Sequence, residues 1–214
     1  KAVAGLLPAK GSIRLDGTSL LPSKRGQKIA YMPQETGASS SLTVLEVVLL
    51  GRLRSLGMRL PTKLIDEAAT ALDTFGLAAL QTRRIDEISG GQRQLVFLTQ
   101  ALFRAPRVLL LDEPTAALDL RHQLLVLDRV RQLAASTGTT VALALHDLNL
   151  AAQFADRFIA LHDGKIHAAG CPEEVLTRDN LNVMYGIEAD VVRVAGTRLQ
   201  VLPLRATEQR RVSS

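Results

Sequence analysis

An α/β fold with a mostly parallel, doubly covered sheet is predicted from three observations. Residues 108–111 and 139–145 are nearly wholly apolar runs, as strands covered on both faces are. Segments of helical spacing separate the strand-like ones. Three of those strand-like segments end in polar residues, at Gln34, at Asp112 and Glu113, and at His146. Ligands gather at the carboxyl ends of strands in such sheets.

In chain order, residues 1–7 (KAVAGLL) read as the end of a helix closed by Pro8 and Gly11. Residues 12–17 (SIRLDG) are a strand and a tight Asp-Gly turn, and 28–32 (KIAYM) a strand stopped by Pro33. The spacing then predicts helices over 43–54, 62–75 and 77–82, the last two separated by Gly76. A helix follows Ile88 and runs to Arg104, and another covers 120–136. A short helix at 149–155 precedes a hairpin, 158–161 with 165–168, turning at Asp163 and Gly164. Pro172 opens a helix to Met184, and 191–194 with 199–202 form a second hairpin around Gly196. The residues beyond 205 are expected to be a disordered tail.

The 214 residues carry a net charge of +5, 47% apolar residues and one cysteine, Cys171. No apolar run approaches the roughly 20 residues of a membrane span. One cysteine excludes an internal disulfide. The positive charge fits Arg-rich solvated faces or an anionic partner, and much of it sits at Arg205, Arg210 and Arg211. With no Trp and two Tyr, the chain lacks the aromatics of a base-stacking platform.

Four places carry chemistry. After the strand RVLLL, Asp112 offers a hard oxygen ligand for Mg²⁺, and Glu113 a general base toward water. The plainer reading is two solvated acids at a strand end. Ser89 and Gln92 have capping-box spacing around Gly90 and Gly91, whose missing Cβ atoms let backbone approach a phosphate at a helix start; the plainer reading is a well-capped helix. His146 can bond a terminal phosphate or orient water, or be structural. Gln34 can meet a metal or water through its amide oxygen, or be an ordinary loop residue.

Together, Gln34, the run Ser89-Gly-Gly-Gln, the run LLLDEP, the run Ala117-Leu-Asp119 and His146 resemble, in order, the Q-loop, signature, Walker B, D-loop and H-loop of ATP-binding cassette (ABC) ATPases, over essentially the whole chain. The resemblance implies a P-loop NTPase-like core with a helical subdomain. The resulting division is 1–36 core remnant with the Q-loop, 37–88 helical subdomain, 89–170 RecA-like core, 171–204 C-terminal helix and hairpin, and 205–214 tail. It implies Asp112 and Gln34 at Mg²⁺, Glu113 as base and His146 as switch. Ser89, Gly90, Gly91 and Gln92 would lie at the ATP of an opposite subunit, with Asp119 at a homodimer seam. Ile88 stands where Leu is usual and Ala117 where Ser is common. The motif G-x-x-x-x-G-K-[ST] does not occur in the chain; its only Gly-Lys pair, Gly164 and Lys165, lies in a hairpin turn.

From that departure the chain is expected to be N-terminally truncated and poorly soluble. Several missing charge-assisted bonds, at about 1.5–3 kcal/mol each, weaken ATP affinity about 10⁴-fold, so the chain is expected to be inactive alone. The segments TVLEVVLLGRLRSLG and GCPEEVLTRDNLNVMYGIEADVV resemble importer subunits for iron–siderophore, haem and vitamin B12 uptake. That group implies permease subunits as partners, contacted through Leu49, Gly51 and Arg52. It also implies an external substrate-binding protein, and a peripheral place on the cytoplasmic face of the inner membrane. Two other readings remain open: a non-catalytic module docking on a permease or an intact cassette, and a DNA-repair or chromosome-type ABC ATPase. Against the latter, there are no sustained heptads, and no nucleic acid is expected.

Overall fold

The computed structural model describes residues 1–34, 40–52, 60–194 and 198–207. They form two compact units, Lys1–Ala144 and Leu145–Ser214.

Residues 1–7, expected to end a helix, form a hydrogen-bonded turn with no assigned helix. The Leu6 N–H reaches the Lys1 carbonyl at 3.1 Å and the Gly5 N–H the Ala2 carbonyl at 3.0 Å. Within that turn Gly5 lies at φ 79°. A residue without Cβ enters that left-handed geometry at no steric cost. Strands β1 (Arg14–Leu15) and β2 (Thr18–Ser19) pair antiparallel around the expected Asp-Gly turn. Helix α1 (Pro22–Lys28) was not legible. Its residues are polar without apolar spacing, and only Pro22 in the first turn marks it.

Strand β3 (Ile29–Met32) leads into the helical region, α2 (Val44–Leu50) and α3 (Thr62–Thr74). The helix expected over 77–82 is a single 3-10 turn, Ala78–Leu80, after Gly76 at φ 69°. Residues 53 and 54, the expected end of the helix begun at 43, lie outside the described residues. Helix α4 (Gly90–Phe103) precedes β4 (Val108–Asp112). Helix α5 (Leu120–Thr137), closed by Gly138 at φ 66°, precedes β5 (Thr140–Ala144).

The three long strands form a parallel sheet in the order β3-β4-β5, with Met32 opposite Leu111 and Asp112 opposite Ala144. Leu109 and Leu111 of β4 join Val48, Leu98 and Val126 from three helices in one core. Full burial of such a side chain is worth about 1.5–3 kcal/mol. The expectation that 139–145 is buried on both faces fails. Val141 and Leu143 are half-buried, while Thr140, Ala142 and Ala144 are exposed. The exposed face of β5 carries only small residues, which forfeit little by facing water.

In the second unit, α6 (Leu148–Phe154) is capped by Asp147, whose Oδ1 accepts the Asn149 and Leu150 N–H groups at 2.8 and 3.0 Å. Strands β6 (Phe158–His162) and β7 (Lys165–Gly170) form the expected hairpin, with Asp163 and Gly164 at φ 49° and 71°. The helix expected from Pro172 to Met184 is two helices, α7 (Pro172–Val175) and α8 (Arg178–Tyr185). Thr177 starts the second by accepting the Asn180 N–H. Strands β8 (Ile187–Val194) and β9 (Arg198–Ala206) are longer than expected. Pairing with β8 runs to Ala206 opposite Ile187, and beside it the Arg205 guanidinium forks onto Glu188 at 2.8 and 2.9 Å. The turn at Gly196 and the tail from residue 208 lie outside the described residues. Leu176, Leu181, Ala189 and Val201 form this unit's core.

Candidate functional site

Strand order brings the first residues together. Because β3 and β4 are parallel neighbours, Gln34 and Glu113 emerge side by side beyond their carboxyl ends. Gln34 Nε2 donates to Glu113 Oε2 at 2.6 Å. One residue earlier, Asp112 Oδ2 accepts the Tyr31 hydroxyl at 2.9 Å. Burial, and then the Asp112 carboxylate, push the Tyr31 phenol above its ordinary value.

Glu113 sits in the left-handed region at φ 50°. For a residue with a Cβ this costs about 1–3 kcal/mol and persists only where neighbours over-determine it. They do so here. The Glu113 N–H donates to the Ala144 carbonyl at 3.2 Å, and the Glu113 carbonyl accepts the Ala116 N–H at 3.3 Å and Gln94 Nε2 at 2.8 Å. Gln123 Nε2 donates to the Thr115 and Leu118 carbonyls at 3.2 and 3.1 Å, holding the next part of the loop.

Ser89 caps α4 as the spacing predicts. Its Oγ accepts the Gln92 N–H at 3.3 Å, and Gln92 Oε1 accepts the Ser89 N–H at 3.0 Å. The Gln92 amide oxygen is thereby engaged in the cap. Ser89 and Gly90 are exposed at the helix start. A Cβ on Gly91 would lie 3.1 Å from Leu118 Cδ2 and 3.2 Å from the Ala117 carbonyl, so α4 begins against the loop that ends in Asp119. Asp119 caps α5, accepting the His122 N–H at 2.9 Å and pairing with the imidazole at 2.8 Å. Those two bonds, backbone first, hold its carboxyl below the ordinary range.

His146 is exposed and lies in the second unit, just ahead of the cap of α6. The first unit therefore gathers Gln34, Asp112 and Glu113 at one strand edge, and Ser89, Gly91 and Asp119 around the start of α4.

Among the described residues, no three His, Cys, Asp or Glu side chains stand close enough to cage a metal. Mg²⁺ needs no such cage, since it binds through one or two carboxylates and completes its shell with water and phosphate oxygens. The oxygen donors of Asp112 and Gln34, beside a carboxylate, fit that pattern.

A groove of about 530 Å³ lies on the same unit, lined among others by Met32, Pro33, Leu50, Arg52, Phe97 and Arg104. Of the three residues expected to touch a partner, Gly51 and Arg52 line it, and Leu49 is 3% exposed in the core with no surface to offer. Arg52 also has a structural role. Its Nε donates to the Phe103 carbonyl at 2.5 Å, Nη1 reaches Glu67 at 2.7 Å, and the guanidinium lies 4.3 Å from the Phe103 ring centre.

Sequence reasoning missed Tyr31, Gln94 and Gln123. A signal existed for Gln94, a polar residue on the stripe Gly91, Leu95, Leu98 that faces the core. Tyr31 had none, because its bond depends on strand register.

Comparison with known proteins identifies the family. The ABC transporter family profile matches residues 1–116. The cobalamin import ATP-binding protein BtuD of Halobacterium salinarum is 38% identical over 192 residues, 86% of this chain and 48% of that protein. This chain thus spans about half the length of that relative. The hemin import ATP-binding protein HmuV of Myxococcus xanthus is 38% identical over 87% of this chain and 73% of its own. The ferric enterobactin transport ATP-binding protein FepC of Escherichia coli is 35% identical over 94% and 77%. A dimeric post-hydrolysis structure of the ATP-binding cassette MJ0796, bound to ADP and Pi, superposes with a TM-score of 0.70 at 27% identity, covering 79% of this chain and 77% of that one. With the family profile over more than half its length and relatives above one-third identity, the chain belongs to the ABC transporter family.

Proposed function

We propose that this chain is the core of an ATP-binding subunit of an ABC importer, which couples ATP hydrolysis to uptake of an iron chelate or a related metal-chelate substrate. The observation that carries the reading is the contact of Gln34 with Glu113, one residue from Asp112, at the carboxyl ends of adjacent parallel strands. The printed functions of BtuD, HmuV and FepC, cobalamin, hemin and ferric enterobactin transport, support the substrate class.

In this reading the Glu113 carboxylate accepts the proton of the water that attacks the γ-phosphate of ATP. Gln34 orients that carboxylate. Asp112, with Gln34, would hold Mg²⁺, which when bound supplies charge neutralisation at the β- and γ-phosphate oxygens. His146 would bond the terminal phosphate. Ser89, Gly90 and Gly91 offer a bare helix start to the ATP held by a second copy of the subunit, with Gln92 setting the cap and Asp119 at the seam. The groove beside α2 and α4 would seat a segment of the permease, fed by a substrate-binding protein outside. No described helix is long and apolar enough to cross a membrane, in keeping with a peripheral place on the cytoplasmic face of the inner membrane.

The test uses a protein that carries this sequence together with a phosphate-binding loop. Glu113→Gln keeps an amide oxygen that can still accept from Gln34 but removes the base. It should lower kcat by about 10²–10⁴-fold and leave ATP affinity intact. Wild-type turnover in that variant would sink the proposal.

A further inference from the structure

The turn that carries Glu113 is held at both ends by one buried side chain from a different element. Gln94 is 3% exposed. Its Nε2 donates to the Glu113 carbonyl at 2.8 Å, and its Oε1 accepts the Ala117 N–H at 3.2 Å. The amide thus closes a bracket over residues 113–117, using its donor end and its acceptor end once each. Gly91, one helical turn earlier on α4, packs against Ala117 and Leu118 so closely that a Cβ there would lie 3.1–3.2 Å from them.

We infer that Gln94 is a positioning residue for hydrolysis, setting the carboxylate of Glu113 according to where the start of α4 lies. The inference rests on the ATPase reading above. The direction of the Glu113 side chain follows from a left-handed backbone that its own residue type disfavours. The backbone bonds to Ala144 and Ala116 fix the turn locally. Gln94 is the link from that turn to α4, whose exposed first residues, Ser89 and Gly90, would meet the second subunit's nucleotide. A helix transmits a displacement of its first turn along its axis, and Gln94 lies immediately after that turn. Engagement of Ser89 and Gly90 therefore reaches Glu113 through one side chain. ATP binding, which the phosphate loop would dominate, does not pass through it.

The separation between binding and turnover gives the test. Gln94→Met keeps the length and apolar stem of the side chain and removes both hydrogen bonds. Gln94→Glu keeps the acceptor toward Ala117 and faces the Glu113 carbonyl with a carboxylate. Both are made in the protein carrying the phosphate-binding loop, with melting temperature, ATP affinity, KM and kcat measured on one preparation. The expected result is a kcat lower by about 100-fold, the cost of a misplacement near 1 Å, with KM and ATP affinity unchanged. Adding Gln94→Met to Glu113→Gln should then produce little further loss. Wild-type kcat in both variants overturns the inference, as does a loss that multiplies with that of Glu113→Gln. If neither variant folds, amide exchange in the wild-type protein decides. Slow exchange at the Gln94 side chain and at the Ala117 N–H upholds the inference, and fast exchange overturns it. An inactive wild-type protein sinks the ATPase reading itself, and this inference with it.

Discussion

The Tyr31 hydroxyl donates a hydrogen bond to Asp112, the carboxylate proposed above for the cation. That bond fixes one oxygen, Oδ2, and so the plane of the carboxylate. Its signature is the raised Tyr31 phenol, caused by burial first and by Asp112 second. A group raised above its unfolded value, here about 10, stabilises the fold fully below that value. Its contribution is lost as pH rises through the folded one. Subtracting the phenolate absorbance titration of Tyr31→Phe from that of the wild type should leave a transition displaced upward from about 10. A difference curve centred at the ordinary value would show that the bond does not form. That Gln34, Asp112 and Glu113 stand at strand ends was legible in the sequence. Their partners Tyr31 and Gln94 were not, because nothing local specifies which strand lies beside which.

At the scale of elements, α2 and α4 meet at Gly51. A Cβ there would stand 2.6 Å from the Gln100 carbonyl and 3.0 Å from that of Val48. The backbone of Gly51 is right-handed helical, φ −57° and ψ −31°, so alanine meets no torsional obstacle, only a lack of space. Gln100 Nε2, donating to the Val47 carbonyl at 2.8 Å, holds the same contact. Gly51→Ala should therefore destabilise the protein by about 1–3 kcal/mol in urea unfolding, as overpacking does. A midpoint equal to the wild type's would show that the helices are not so close. The foretold starts of α2 and α4 carry side-chain caps, Thr43 with Glu46 and Ser89 with Gln92, whereas α3, also foretold, was legible from its apolar spacing without a side-chain cap. Helix α1 has neither, and it went unread.

For the whole molecule, each unit has its own core, one built on the three-stranded sheet and its helices, the other on Leu176, Leu181, Ala189 and Val201. The first unit leaves Ser89, Gly90 and Asp119 exposed. A pair of subunits facing each other through those residues would enclose two nucleotides. With ATP present and hydrolysis blocked by Glu113→Gln, light scattering on the protein carrying a phosphate-binding loop should report a dimer, and a monomer once nucleotide is removed. A monomer in both conditions would remove the shared-site arrangement.

What the sequence by itself determined is whatever acts within about one helical turn: caps, Asp-Gly turns, apolar strands, and the residue types at strand ends. Tertiary structure decided the pairings across 81 residues for Tyr31 and Asp112, 79 for Gln34 and Glu113, and 19 for Gln94 and Glu113. It also decided that β5 buries only one face and that Leu49 is core. The first two contacts follow from the strand order β3-β4-β5. That order is selected by burial summed over the whole core rather than by any neighbouring residues, so no local pattern announces it.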